Sequence, residues 1–270
     1  MSIIHFTTLL VESEGYNLVK PAQENPLLFK IIIIGLITGT LIGTVGVGGI
    51  LLTPLLVFFL GIELHIAQAT SSFSFLFTGL VGTILYARRK SINWHQVLWI
   101  GIGVIPAALL GAKVNTILSG TVLTLILSAL IVFSGFNALR KPGYDANQSL
   151  TLNKGVLILI GIGVGFGSAL TGTGGPVLLV PTLLLLGFMS LAAVGISQVI
   201  QIPIAIMATI GFMLFGQIDF YLGLTLGIVQ SVGVIIGGTI AHALPQDKLR
   251  RVVAITLFGV GIFMVGRLFY

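Results

Sequence analysis

The sequence predicts an all-α integral membrane protein: two inverted repeats, each a Gly-broken helix hairpin followed by three transmembrane helices. Three observations predict it. The 270 residues are 56% hydrophobic and 7% charged, with a mean hydropathy of +1.14. Two glycine-rich interruptions, one in each half, cut apolar runs. A constant offset of 126 positions carries the first half onto the second.

The composition excludes an ordinary water-facing surface, for which about a quarter of residues are charged. Apolar windows of roughly 20 residues match the hydrocarbon core of a bilayer. Helices are the default there, because every backbone polar group must be paired internally. The net charge of +6 resides in short loops, which marks topology and not nucleic acid. The chain has no cysteine, so disulfides, thiolate metal sites and cysteine catalysis are excluded. Residues 1–26 lack a basic start and a small-residue cleavage site, and read as an arm on the membrane surface.

The repeat is read from paired residues. Gly35 falls on Gly161, Gly39 on Gly165, Ser71 on Ser197 and Gly111 on Gly237. Gly46, Gly48 and Gly49 fall on Gly172, Gly174 and Gly175, and Gly135 still falls on Gly261 near the end. Pro54 and Pro181 miss the register by one residue. The division is then a first repeat over 27–140, a cytoplasmic linker over 141–154 and a second repeat over 155–270.

The elements follow in order. Leu27 to Val45 is apolar and ends at the break Gly46-Val47-Gly48-Gly49. A short run from Ile50 to Leu60 precedes longer ones at Ile66–Ala87, Trp94–Ala112 and Leu118–Leu139. The second half repeats the series: Val156–Leu170, the break Gly172-Thr173-Gly174-Gly175-Pro176, then Val177–Leu186. Leu191–Phe215, Phe220–His242 and Val252–Phe269 complete it.

Orientation comes from the loops. Arg88, Arg89 and Lys90 form one basic loop, and Lys248, Arg250 and Arg251 another. Their repeat equivalents hold Asp219 and Lys113. With the central Arg140, Lys141 and Lys154, one side collects nine of the 13 Lys and Arg residues, which the positive-inside rule makes cytoplasmic. Each broken hairpin returns the chain to its starting side, and three crossings follow. The second repeat is therefore inverted and both termini lie outside. Inverted repeats with broken helices point to a secondary transporter and to its binding site.

The breaks carry the chemistry. Glycine permits positive φ and close approach of backbone to a ligand, and Pro176 suits a helix start. The N-terminus of a half-helix presents N–H groups and partial positive charge to an anion. Two such ends could hold an anion without a buried Lys or Arg. Gly46, Val47, Gly48 and Gly49, with Gly172, Thr173, Gly174 and Gly175, are the first candidates. Polar stripes add Thr70, Ser71 and Ser74 in the first half, with Ser72 and Thr78 beside them. Ser197, Gln198 and Gln201 are added in the second, with Pro203 freeing a carbonyl nearby and Gln230 a weaker candidate. Hydroxyl and amide donors suit oxyanion oxygens. The bland alternative is that such hydroxyls bond their own helix, which is routine in membranes. The stripe Gly35-x-x-x-Gly39-x-x-x-Gly43 reads as helix packing.

Other chemistries find no support. Neither break is followed by Lys-Ser or Lys-Thr, so neither is a phosphate loop, and neither has the third glycine of a dinucleotide fingerprint. Glu63, Asp219, His65, His95 and His242 sit at segment ends, without metal-ligand spacing. Trp94 and Trp99 read as interface anchors. No nucleophile–base pair or carboxylate pair is present, so no enzyme, cofactor or metal is expected.

Gly46-Val47-Gly48-Gly49 leading to Pro54, then Ala67-x-x-Thr70-Ser71, resembles the first half of the TauE/SafE family of sulfite-exporter-like permeases. Gly172-Thr173-Gly174-Gly175 leading to Pro181, then Gly195-Ile196-Ser197-Gln198, resembles its second half, as does the loop Gly216-Gln217-Ile218-Asp219-Phe220. The resemblance covers roughly residues 28–268. Ile50 and Pro176 depart from the fuller glycine pattern, in which a third consecutive glycine is common. The resemblance implies transport of a small sulfur-containing anion, such as sulfite or an organosulfonate, in a bacterial inner membrane. The expected partners are that anion and the lipid bilayer, with no nucleic acid and with room for a homo-oligomer. An anion channel of the same fold and a non-transporting membrane scaffold subunit are the alternatives.

Overall fold

A computed structural model describes residues 26–46, 48–119 and 152–245, with single positions at 122, 125, 129, 248, 251, 252, 255 and 259. The N-terminal arm, Val47, the linker and the last run of each half lie outside the described residues. The rest is helical. The helices are α1 Pro26–Val45, α2 Gly49–Leu60, α3 Leu64–Arg88 and α4 Trp94–Ile117 in the first half. The second half holds α5 Lys154–Thr171, α6 Pro176–Leu185, α7 Ser190–Phe215 and α8 Phe220–Ala243. Six of the eight are long and apolar enough to cross a membrane; α2 and α6 are the short ones.

Local chemistry sets the boundaries. Asn93 caps α4 by accepting from Gln96 N, Asn153 caps α5 from Gly155 N, and Asp219 caps α8 from Leu222 N at 2.9 Å. α1 ends at Gly46 and α5 at Gly172, equivalent positions with φ of +76° and +65°. A side chain at such a φ is strained, so glycine at both turns lets the chain leave the helix sharply. α2 and α6 span 12 and 10 residues, roughly half the hydrocarbon thickness at about 1.5 Å per residue. Large apolar side chains such as Leu98, Ile117, Leu159 and Met213 are more than half exposed on the bundle. In water this would favour aggregation; in lipid it is the expected outer face.

The packing exchanges the halves. α1 lies on α8 as its equivalent α5 lies on α4, and α3 meets α8 as α7 meets α4. The glycine stripes make these approaches. A Cβ on Gly39 would overlap the Gln230 main chain, as one on Gly165 would overlap Val104, its repeat equivalent. Gly237 sits on Thr40 O and Thr44 N; Gly111 sits on Phe166 O and Leu170 N, each shifted by 126 positions. The packing role read for Gly35, Gly39 and Gly43 is therefore met: all three face α8.

Helix directions follow from the same contacts. Thr70 meets Asp219, Phe73 meets Gly223 and Leu85 meets Gly238, so α3 and α8 run parallel. Gly79 and Gly82 meet Gln198, while Tyr86 meets Gly195, so α3 and its equivalent α7 run antiparallel. α1 runs with α8, and α5 with α4 and α7. The described basic residues Arg88, Arg89, Lys90 and Lys154 consequently share one end of the bundle. Ser91 Oγ and His242 Nε2, 3.1 Å apart, join the turn after α3 to the end of α8. Lys154 Nζ lies 4.8 Å from the Trp99 ring centroid, which brings the start of α5 to the start of α4. Trp94 is more than half exposed, as an interfacial anchor should be.

Candidate functional site

The two breaks pass each other in the middle of the bundle. Gly46 faces Pro176 and Val180, while Gly49 faces Thr173 O. One contact ascends as the other descends, so the segments cross antiparallel. Thr53 Oγ1 reaches Gly172 O at 3.5 Å, fastening α2 to the opposite break. Every described residue of both breaks is buried. The starts of α2 and α6 therefore meet at one place, each carrying roughly half a positive charge from its backbone dipole.

α3 and α7 wall the crossing. The Phe75 ring lies against both Gly49 and Gly174, so one aromatic side chain fills the angle between the breaks. Gln201 Nε2 donates to Phe75 O at 3.0 Å and also to Thr78 Oγ1. Phe75 and Gln201 are repeat equivalents, each close to its helix midpoint. Ser197 is the polar neighbour of Gly46.

The candidates from sequence divide into groups. Ser71, Gln198 and Gln201 are fully buried and each keeps one polar atom without a partner: Ser71 Oγ, Gln198 Oε1 and Gln201 Oε1. The amide donors of both glutamines are already engaged, for Gln198 Nε2 donates to Ile42 O at 2.8 Å. A main-chain carbonyl accepts only, so the NH2 group must face it and the amide oxygen is the free end. Gln198 and Gln201 therefore tie α7 to α1 and α3 and offer acceptors, not the donors expected for an anion. Ser74 Oγ donates to Ser71 O and Ser197 Oγ to Val194 O, both on their own helices. Thr70 Oγ1 accepts from Asp219 N at 3.1 Å and belongs to the α3–α8 seam. Thr173 Oγ1 pairs with Thr171 Oγ1 at 3.0 Å. Gln230 Nε2 donates to Thr38 Oγ1 between α8 and α1, away from the breaks.

Sequence reasoning missed Gln68, Asn115, Tyr86 and Phe75. Tyr86 Oη donates to Gly43 O at 2.8 Å and, with Gln198, satisfies carbonyls at the end of α1. Asn115 Nδ2 donates to Leu170 O and to Gln68 Oε1, each at 2.6 Å, and so satisfies the end of α5. Gln68 lies against Gly172. Its signal was present, because an amide inside an apolar run is costly to bury unpaired.

The sequence as a whole now places the chain among known proteins. The family described as Sulfite exporter TauE/SafE matches residues 31–264. The chain belongs to this family. A probable membrane transporter protein, YjnA of Bacillus subtilis, is 29% identical over 257 residues, covering 87% of this chain and 99% of its own. YdhB of the same organism, also named a probable membrane transporter protein, is 24% identical with the same coverage of both chains. A shorter match is the probable sulfite/organosulfonate exporter TauE of Cupriavidus necator, 32% identical over 98 residues and 37% of its length. No solved structure matches. The TauE/SafE chain is thus a multi-pass membrane protein of a transporter family, with its crossed breaks in the bundle centre.

Proposed function

We propose that this protein is a secondary transporter that moves a small sulfur-containing anion by alternating access, binding it where the breaks cross. The observation that carries the reading is the antiparallel crossing of the two glycine breaks. Two half-helix starts meet there among neutral side chains, an arrangement suited to an anion without a basic side chain. The antiparallel run of α3 against α7 supports two inverted repeats, over 27–140 and 155–270. Inverted halves give two states of similar energy, one open to each side. The shared basic end, with Arg88, Arg89, Lys90, Lys154, Lys248 and Arg251, supports a cytoplasmic assignment for that face in the plasma membrane. The sulfur chemistry rests on the family and on the name of the Cupriavidus relative.

The test is uptake of labelled sulfite into proteoliposomes against unlabelled sulfonates, sulfate, thiosulfate and carboxylates. Saturable uptake blocked by sulfur oxyanions supports the reading. Folded protein that moves none of them contradicts it.

A further inference from the structure

Two buried donors on α3 have nothing to bond, and one of them belongs to a residue packed on the second break. Asn115 Nδ2 spends both hydrogens, one on Leu170 O and one on Gln68 Oε1. Leu170 O is a main-chain acceptor, so it fixes the Asn115 amide. That amide in turn fixes Gln68, whose oxygen must face Asn115 and whose Nε2 faces away. His65 Nδ1 lies 3.2 Å from Asn115 Oδ1 and completes the chain from its outer end. Gln68 is fully buried, and its Nε2 has no partner. Its stem rests on Gly172, four residues before the start of α6.

Ser71 stands three residues on, on the same helical face. Its neighbours Ser72 and Ser74 return their hydroxyls to α3 carbonyls, but Ser71 Oγ is buried without a partner. A buried donor left unpaired is destabilising, so two together on one face of α3, the first against Gly172, call for an acceptor from outside the chain. The ligand's charge follows from its surroundings. The buried polar side chains among the described residues are all neutral Thr, Ser, Gln and Asn. Two helix starts supply together about one unit of positive charge. Desolvation cost rises with the square of the charge, so a second negative charge would be left uncompensated.

We propose that Gln68 Nε2 and Ser71 Oγ bind the oxygen atoms of a singly charged oxyanion, and that Asn115 is the positioning residue that aims Gln68. This rests on the transport reading above and adds the donors and the charge class. The experiment measures methanesulfonate and sulfate as competitors of labelled sulfite exchange at neutral pH, where sulfate is doubly charged. Methanesulfonate is expected to compete at least about tenfold more tightly. Gln68→Met is expected to weaken methanesulfonate by about 10- to 100-fold, the range for one hydrogen bond to a charged group. Ser71→Ala removes no bond within the protein, so it should fold normally, and is expected to weaken binding as well. Asn115→Ala should raise the half-saturation concentration with the maximal rate retained, and should add nothing in the Gln68→Met background. A merely structural role would lower the rate and add to the other loss. Equal competition by sulfate, or unchanged affinity in Ser71→Ala, overturns the inference while the transport reading stands. Wild-type protein that exchanges no oxyanion overturns both.

Discussion

Gly174 is the position where the crossing is least forgiving. Its φ is +81°, in the left-handed region, and a Cβ there would come within 2.5 Å of Phe75 Cδ2. Alanine at Gly174 therefore meets two separate penalties. Left-handed backbone costs an L-residue about 1–2 kcal/mol, and overpacking a filled interior costs about 1–3 kcal/mol. The sum is about 2–5 kcal/mol, a large part of the net stability of an ordinary folded protein. Replacing Phe75 by Leu in the same chain should return the packing part and leave the backbone part, about 1–2 kcal/mol. Gly163 is the control: it lies in α5, is exposed, and an added Cβ meets nothing within 4 Å. Gly163→Ala should be neutral or stabilise by up to about 1 kcal/mol. Unfolding in detergent, followed by circular dichroism with labelled sulfite exchange alongside, separates the cases. Gly174→Ala with wild-type stability and exchange would refute the geometry of the crossing.

The other predictions concern the frame. Gly111→Val and Gly237→Val should each cost about 1–3 kcal/mol and by similar amounts, because each Cβ meets an equivalent pair of main-chain atoms; a loss in one alone would break the exchange of halves. Tyr86→Phe removes the bond to Gly43 O and should cost about 0.6–1.7 kcal/mol in thermal unfolding; no change would mean that the carbonyl finds another donor. The chain has no cysteine, so single thiols report cleanly. Arg89→Cys and Lys248→Cys should react with an impermeant thiol reagent from one side of the membrane and Lys113→Cys from the other; a shared side for all three would contradict the topology.

The frame was legible because its causes are local. Hydropathy, the Gly46 and Gly172 turns and the caps at Asn93, Asn153 and Asp219 each act within a turn of helix. The boundaries of α1 to α8 accordingly fall within a few residues of the apolar runs, with α4 the longest extension, to Ile117. The 126-residue offset recurs in packing glycines such as Gly111 and Gly237, whose neighbours are main-chain atoms. The site was only partly legible. That Gln198 and Gln201 have spent their donors depends on Ile42 O and Phe75 O, more than a hundred residues away. Gln68 acquires its free donor through Asn115 and Leu170 O, which periodicity in α3 does not register. Phe75 looks in sequence like any apolar residue of a membrane helix, and only the crossing gives its ring a place.

Counterflow tests the alternating-access account most directly. Proteoliposomes loaded with excess unlabelled sulfite are diluted into a trace of labelled sulfite, and internal label is followed over time. A carrier whose crossed breaks face one side at a time predicts a transient rise of label above its equilibrium level, followed by decay. A simple approach to equilibrium without the overshoot, from folded protein that passes sulfite, would contradict the account and mark the crossing as a channel.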